Sequence, residues 1–264
     1  MKQKIKQLLC LLLACQLFTG TAWARPDWPA DTGIQAEAGI VMDADSGAIL
    51  FGQNIHVPYP PASITKILTA LIVLEHAQPD EMVTFTETAC NSVESDSGNK
   101  LGVVPGDTLT VEDCLYGLLL VSANQAANAL AEHVAGSIPA FVDMMNDKLA
   151  ELGCTESHFD NPSGLNGDTQ YVTAYDMALI AQAAYQNETL LEISSVKNHK
   201  LAPTINYPGG LTVNQEHRLL KEGDDFYYSP AKAGKTGYLQ AAGNTLVTYA
   251  EKDGRRLVSV VLKG

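Results

Sequence analysis

Apolar positions fall along the chain in blocks of different period. Gly39-Ile40-Val41-Met42-Asp43 and Ala48-Ile49-Leu50-Phe51 flank the turn residues Asp45-Ser46-Gly47, which predicts a β-hairpin. Pro58, Pro60 and Pro61 then mark irregular backbone. From Ser63 to about His76, Ile67, Ala70, Leu71 and Leu74 recur at spacings of three and four, the period of a helix. The stretch from about Thr86 to Pro105 is polar and loop-like. Val111 to Leu120, Ala126 to Val134 and Ala140 to Leu152 read as successive helices, and Thr173 to Tyr185 as another, with Asp176 near its start. Residues from about 190 to 230 are mixed, with Gly209-Gly210 and Gly223-Asp224-Asp225 as turns. Asn244 to Ala250 and Arg256 to Leu262 are rich in Val, Leu and Thr and read as strands around an Asp253-Gly254 hairpin turn. Strands, then a helical block, then strands predict an α/β (α+β) fold. In it, helices flank an antiparallel sheet whose first and last strands come from the two ends of the chain.

The first residues stand apart from this pattern. Lys2, Lys4 and Lys6 precede an apolar run from Leu8 to Phe18, and Ala22-Trp23-Ala24 offers small residues for cleavage. That is the layout of a secretory signal, and the run is too short to span a membrane, which takes about 20 apolar residues. The expected organisation is a signal over residues 1–24, a linker over 25–35 and one domain over 36–264. Export follows from it, with no membrane anchor in this chain. Net charge is −13 at pH 7; with no basic patch to neutralise phosphates, nucleic acid is excluded as a partner. Cys90, Cys114 and Cys154 lie far apart, a pattern that indicates neither a disulfide framework nor a zinc site. The histidines His56, His76, His133, His158, His199 and His217 are scattered without a His-Glu-x-x-His pattern, so no metal and no cofactor are expected.

Three short motifs carry chemistry. In Ser63-Ile64-Thr65-Lys66, residues i and i+3 share a helix face. The lysine can therefore reach the serine oxygen and take its proton where burial or nearby charge disfavours the ammonium form. The same S-x-x-K pattern recurs at Ser97, Ser194 and Ser229, but only Ser63 opens a long apolar-periodic helix. Ser122-Ala123-Asn124 lies between two apolar helices, where a tight turn can project a hydroxyl and an amide into a cleft; a plain helix cap is the competing account. Lys235-Thr236-Gly237, preceded by Gly234, heads the strand-like C-terminal region. There a glycine permits close approach of a ligand backbone, and the lysine and threonine offer a charge and a hydroxyl to a carboxylate.

Together, S-x-x-K, S-x-N and K-T-G in this order form the motif set of penicillin-binding proteins and class A β-lactamases. From about Ala38 onward the chain resembles the low-molecular-mass D-Ala-D-Ala carboxypeptidases. The likeness includes Pro61 to Lys66, Ser122 to Ala127, Asn161-Pro162-Ser163-Gly164-Leu165, Thr173 to Ala178 and Gly234 to Tyr238. The resemblance implies a β-lactamase/transpeptidase-like fold with a helical subdomain. It implies a peptidoglycan stem peptide ending in D-Ala-D-Ala as substrate and β-lactam antibiotics as inhibitors. Ser63 would be the nucleophile, Lys66 its base and Ser122 the proton relay. Asn124 would orient the peptide, Lys235, Thr236 and Gly237 would bind substrate, and the backbone N–H groups of Ser63 and Tyr238 would form the oxyanion hole. Gln125 stands where the family usually has Asp, and Leu239 where Thr often follows K-T-G. The family's further arginine and C-terminal helix have no counterpart before Gly264, so the catalytic domain is expected to be trimmed at its C-terminus. Two other readings stay open: a non-catalytic wall- or penicillin-binding module, and a serine β-lactamase. The β-lactamase is opposed by the absence of a Glu-containing motif around Asn161 to Gly164.

Overall fold

In the computed structural model, which describes residues 33–91, 101–165 and 167–264, β1 (Ala38–Asp43) and β2 (Ile49–Gln53) form the predicted hairpin. β1 also pairs antiparallel with the last strand, β9 (Arg255–Leu262), from Ala38 opposite Leu262 to Asp43 opposite Leu257. With β8 (Gly243–Lys252) and β7 (Ala231–Leu239), they make a sheet of order β2-β1-β9-β8-β7. The first and last strands thus come from the two ends of the chain, as the strand-helix-strand order predicts, and β1 and β9 lie side by side inside the sheet. Strand alternation decides its inner face: Ala38, Ile40 and Met42 of β1 and Val258, Val260 and Leu262 of β9 are buried, each pointing the same way because side chains alternate with period two.

Helices cover that face. A single 3-10 turn, Ala62–Thr65, leads into α1 (Lys66–His76), and every residue from Lys66 to Val73 is buried. A helix buried on all sides lies at the centre of a fold, and each large aliphatic among these, such as Ile67, Leu68 and Ile72, contributes about 2 kcal/mol by leaving water. The sequence expectation of a helix from Ser63 is thus corrected in one detail: Ser63 lies in the 3-10 turn, and Lys66 is the first α-helical residue. Around α1 pack α3 (Val111–Leu120), α4 (Asn124–Ala135), α5 (Ile138–Glu151) and α6 (Ala174–Ala184), and α6 bridges from α1 to β1 and β9.

The helix starts are set by side-chain caps: Thr110 accepts from Asp113 N at 3.0 Å, Ser137 from Ala140 N at 3.3 Å and Thr173 from Asp176 N at 3.1 Å. The polar stretch after Thr86 holds a short helix, α2 (Glu87–Asn91), capped by the Thr86 hydroxyl on Ala89 N at 2.9 Å. A small sheet pairs β3 (Met82–Thr84) with β4 (Thr108–Thr110). The mixed region contains α7 (Glu188–Ser195) and a hairpin of β5 (Asn198–Lys200) and β6 (Thr212–Asn214). Among the described residues, no helix is long and apolar enough to cross a membrane. The signal reading falls outside the described residues. Cys90, Cys114 and Cys154 are free thiols, and burial pushes Cys154 up to about 12, which leaves it unreactive.

Candidate active site

Ser63 owes its position to a strained turn braced from three sides. Ala62 before it has φ 52°, the left-handed region that non-glycine residues enter at a cost. The turn's carbonyls are held by hydroxyls: Thr245 of β8 donates to Pro61 O at 2.9 Å and Thr65 donates to Ala62 O at 2.9 Å. Gly164, with φ 79°, comes so close that a Cβ there would lie 1.9 Å from Ala62 O. Gly237 of β7 passes the other side, where a Cβ would lie 2.9 Å from Ser63 N. The close approach that Gly237 permits is therefore by the chain's own Ala62–Thr65 turn. The room at Gly234 is likewise taken from within, by the His217 ring and Val247 O.

Lys66, wholly buried, donates from Nζ to Ser63 Oγ at 3.0 Å and makes a short bond to Ser163 O. The loop that presents Ser163 O is folded by Asn161, whose Oδ1 accepts from Ser163 N, Ser163 Oγ and Gly164 N at 3.2, 2.9 and 2.8 Å. It is pinned to α1 by Thr69 Oγ1 on Pro162 O at 2.7 Å. The Asn161 to Leu165 motif thus holds the lysine in place, a role the motif list alone does not assign.

Ser122 sits at the junction of α3 and α4 with φ 63°. Its hydroxyl is buried and has no hydrogen-bond partner among the described residues. Asn124 is the first residue of α4 and is buried. Ser63, Ser122, Asn124, Thr236, Gly237 and Tyr238 converge on one cavity of about 320 Å³, with Gly164, Leu165 and Glu216 also in its wall. Lys66 and Lys235 stand behind that wall: Lys235 is 1% exposed and its Nζ donates to Thr236 O at 2.9 Å. β7 is the sheet's edge strand, so alternate main-chain groups along it are available to an extended peptide. Among the other S-x-x-K serines, Ser194 lies in α7 and Ser229 in the turn before β7, and neither lines the cavity; Ser97 lies outside the described residues.

Two neighbours of the site carry no motif in the sequence. Glu216 is half-buried and joins the cavity wall. His217 is buried, with Nε2 at 3.0 Å from Thr248 Oγ1 and 3.3 Å from Val247 O. Burial, and after it the charge of Lys235, lowers its pKa to about 4 against the hydrogen bond to Val247 O. At neutral pH the ring is uncharged, and Nε2–H donates.

A serine hydroxyl on a buried lysine amine, with a second hydroxyl and an amide across a cleft at a sheet edge, defines a serine acyl-transfer site. A family model for D-alanyl-D-alanine carboxypeptidases matches residues 25–264. A Mycobacterium tuberculosis D-alanyl-D-alanine carboxypeptidase is 38% identical over 90% of this chain and 76% of its own length. The Bacillus subtilis enzyme DacF is 30% identical over 97% of this chain and 66% of its own length. The Escherichia coli enzyme DacA is 32% identical over 98% of this chain and 65% of its own length. The chain thus spans about two thirds of the latter two relatives. Among solved structures, a D-alanyl-D-alanine carboxypeptidase from Mycobacterium tuberculosis superposes with a TM-score of 0.78 at 37% identity, over 87% of this chain and 83% of that one. A Streptomyces DD-transpeptidase variant gives 0.79 at 28% identity, over 88% and 91%. The chain belongs to the D-alanyl-D-alanine carboxypeptidase family of serine hydrolases.

Proposed function

We propose that this chain removes the terminal D-alanine from peptidoglycan stem peptides ending in D-Ala-D-Ala, outside the cytoplasm, through an acyl-enzyme on Ser63. The observation that carries this is the 3.0 Å contact of Lys66 Nζ with Ser63 Oγ, made at the edge of a cavity that also holds Ser122, Asn124 and Thr236. As the neutral amine, Lys66 takes the proton of Ser63, whose Oγ attacks the carbonyl between the two D-alanines. The proton passes through Ser122 to the leaving nitrogen, and proton transfer of this kind is worth about 10²–10⁴ in rate. The backbone N–H groups of Ser63 and Tyr238 receive the oxyanion, each typically worth about 10²–10³. Asn124 holds the peptide amide, while Thr236, backed by the charge of Lys235, holds the terminal carboxylate. Water then cleaves the ester.

The site has the same use for a β-lactam, whose ring carbonyl Ser63 would open. Brief exposure to benzylpenicillin is expected to add one penicillin mass to the intact protein and none to Ser63→Ala, with D-alanine released from a D-Ala-D-Ala peptide by the parent alone. A folded parent that takes no adduct and releases no D-alanine would leave a non-catalytic wall-binding module as the reading. Fast penicillin turnover without an accumulated adduct would favour a β-lactamase.

A further inference from the structure

β7 runs through the cavity in a fixed order. Lys235 and Thr236 come first, Gly237 passes Ser63 N, and Tyr238 and Leu239 follow along the cavity wall. On the carboxypeptidase reading, on which this inference rests, that order divides the cleft. The terminal carboxylate lies at Thr236 and the reacting carbonyl at the Tyr238 N–H, so Leu239 stands on the acyl side, away from the leaving residue. Side chains alternate along a strand. Leu239 therefore shares a face of β7 with Lys235 and Gly237, the face that meets the Ala62–Thr65 turn, and it lies about 7 Å beyond Gly237.

Leu165 reaches the same cavity from the other side of that turn. It follows Gly164, which abuts Ala62 O. Its backbone is fixed: Leu165 N donates to Ser163 Oγ at 3.3 Å, and Leu165 O accepts from Asn161 Nδ2 at 3.0 Å and Gln170 Nε2 at 2.8 Å. Both leucines are half-buried and both line the cavity. Among the described residues, the one acidic or basic side chain in the cavity wall is Glu216. Glu216 N donates to Leu120 O at 3.2 Å, two residues before Ser122, which places Glu216 on the leaving side. The acyl side is walled by aliphatic groups.

Such a wall selects by charge. Methylene groups laid against it leave water at a gain, whereas an ammonium or carboxylate there gives up hydration with no partner in return. Threonine, which often follows K-T-G, would offer an ion a hydroxyl; Leu239 offers none. We propose that Leu239 and Leu165 form an acyl-side subsite that makes this chain selective for stem peptides in which the residue before the two D-alanines lays methylene groups, not an ion, against the cleft.

The test uses the full chain and three Nα-acetylated tripeptides ending in D-Ala-D-Ala, with L-norvaline, L-2,4-diaminobutyrate or L-glutamate as the first residue. The first carries a methyl where the second carries an ammonium and the third a carboxylate. Ions of both signs separate loss of hydration from the effect of the net charge of −13, which attracts one and repels the other. The kcat/KM for the norvaline peptide is expected to exceed both others by about tenfold or more. Leu239→Thr should bring the three within about threefold of one another, and Leu239→Met, apolar and of similar volume, should preserve the order. A parent that uses the three equally or prefers either ion overturns the proposal, and so does an order that survives unchanged in Leu239→Thr. A parent that releases D-alanine from none of the three and takes no penicillin adduct defeats the carboxypeptidase reading instead, and the proposal with it.

Discussion

Ser122 combines a left-handed backbone, φ 63°, with a buried hydroxyl that has no hydrogen-bond partner among the described residues. The backbone costs about 1–2 kcal/mol for an L residue, and the hydroxyl costs about 1–3 kcal/mol. On the proposed mechanism a catalytic step requires this position, and strain held at such a position is common in active sites. Glycine removes both costs and adds about 0.5–1 kcal/mol of unfolded-chain entropy. Ser122→Gly is therefore expected to be more stable than the parent by about 1–4 kcal/mol in urea unfolding. Its D-alanine release should be at least about 100-fold slower, since on the proposed mechanism the Ser122 hydroxyl relays the proton. A variant less stable than the parent would refute this account of the junction.

Gly237 makes the converse argument. A Cβ there would lie 2.3 Å from Thr245 Oγ1 and 2.9 Å from Ser63 N. The threonine hydroxyl can rotate away, but the backbone nitrogen moves only with the Ala62–Thr65 turn. Gly237→Ala should slow the second-order rate of penicillin acylation by about 10²–10³, the worth of one oxyanion donor. An unchanged rate would show that the turn does not depend on β7 for its alignment.

At the scale of elements, what could be read from the sequence depended on length and on capping. α3, α5 and α6 are 10 residues or longer and begin at Thr or Ser caps, so period and start signal agree and the predicted spans fall within two residues of the observed ones. α2 has five residues and α7 eight, too few turns for a helical period to stand out from a polar stretch, although Asn187 caps α7 by accepting from Leu190 N at 3.0 Å. β5 and β6 have three residues each and one buried position, Val213, in β6. Strands of that size have no alternation to detect.

α6 connects the central helix to the sheet without lining the cavity, so its cap should affect stability alone. Thr173→Ala removes the acceptor of Asp176 N and should cost about 1–2 kcal/mol in urea unfolding. The rate of D-alanine release at saturating substrate should stay within about twofold of the parent, because no reacting group touches the cap. A large fall in that rate would mean that α6 helps to position Ser63 or Lys66, the first residue of α1, against which it packs.

For the whole molecule, an antiparallel sheet built from both ends of the chain was legible because two apolar runs near the start and two at the end needed partners; the strand order and the pairing of β1 with β9 came from the structure. The motif residues were legible through their fixed order. Glu216 and His217 were not, because nothing local in Asn214-Gln215-Glu216-His217 marks a site. Only the closing of β7 against β8 brings Gly234, Val247 and Thr248 around the imidazole.

That closure has a global consequence. His217 titrates near 6.5 when unfolded and at about 4 in the folded chain, chiefly through burial and also through Lys235. Between those values the unfolded chain binds a proton that the folded chain refuses, so stability falls as pH drops from about 6.5 to about 4 and is unaffected by this group above that range. The shift corresponds to about 3 kcal/mol across the window. Of the carboxylates, Asp43, Glu81 and Asp224 have folded pKa values held down by hydrogen bonds; their losses come at lower pH. Asp176, raised by burial, acts in the opposite sense, gaining stability on acidification. A steep loss of urea resistance between pH 7 and about 4.5 is therefore expected in the parent, and it should be much shallower in His217→Gln, whose Nε2 keeps a donor for Thr248 and Val247 but takes up no proton. Equal slopes in the two proteins would show that the buried ring is not what makes this fold sensitive to acid.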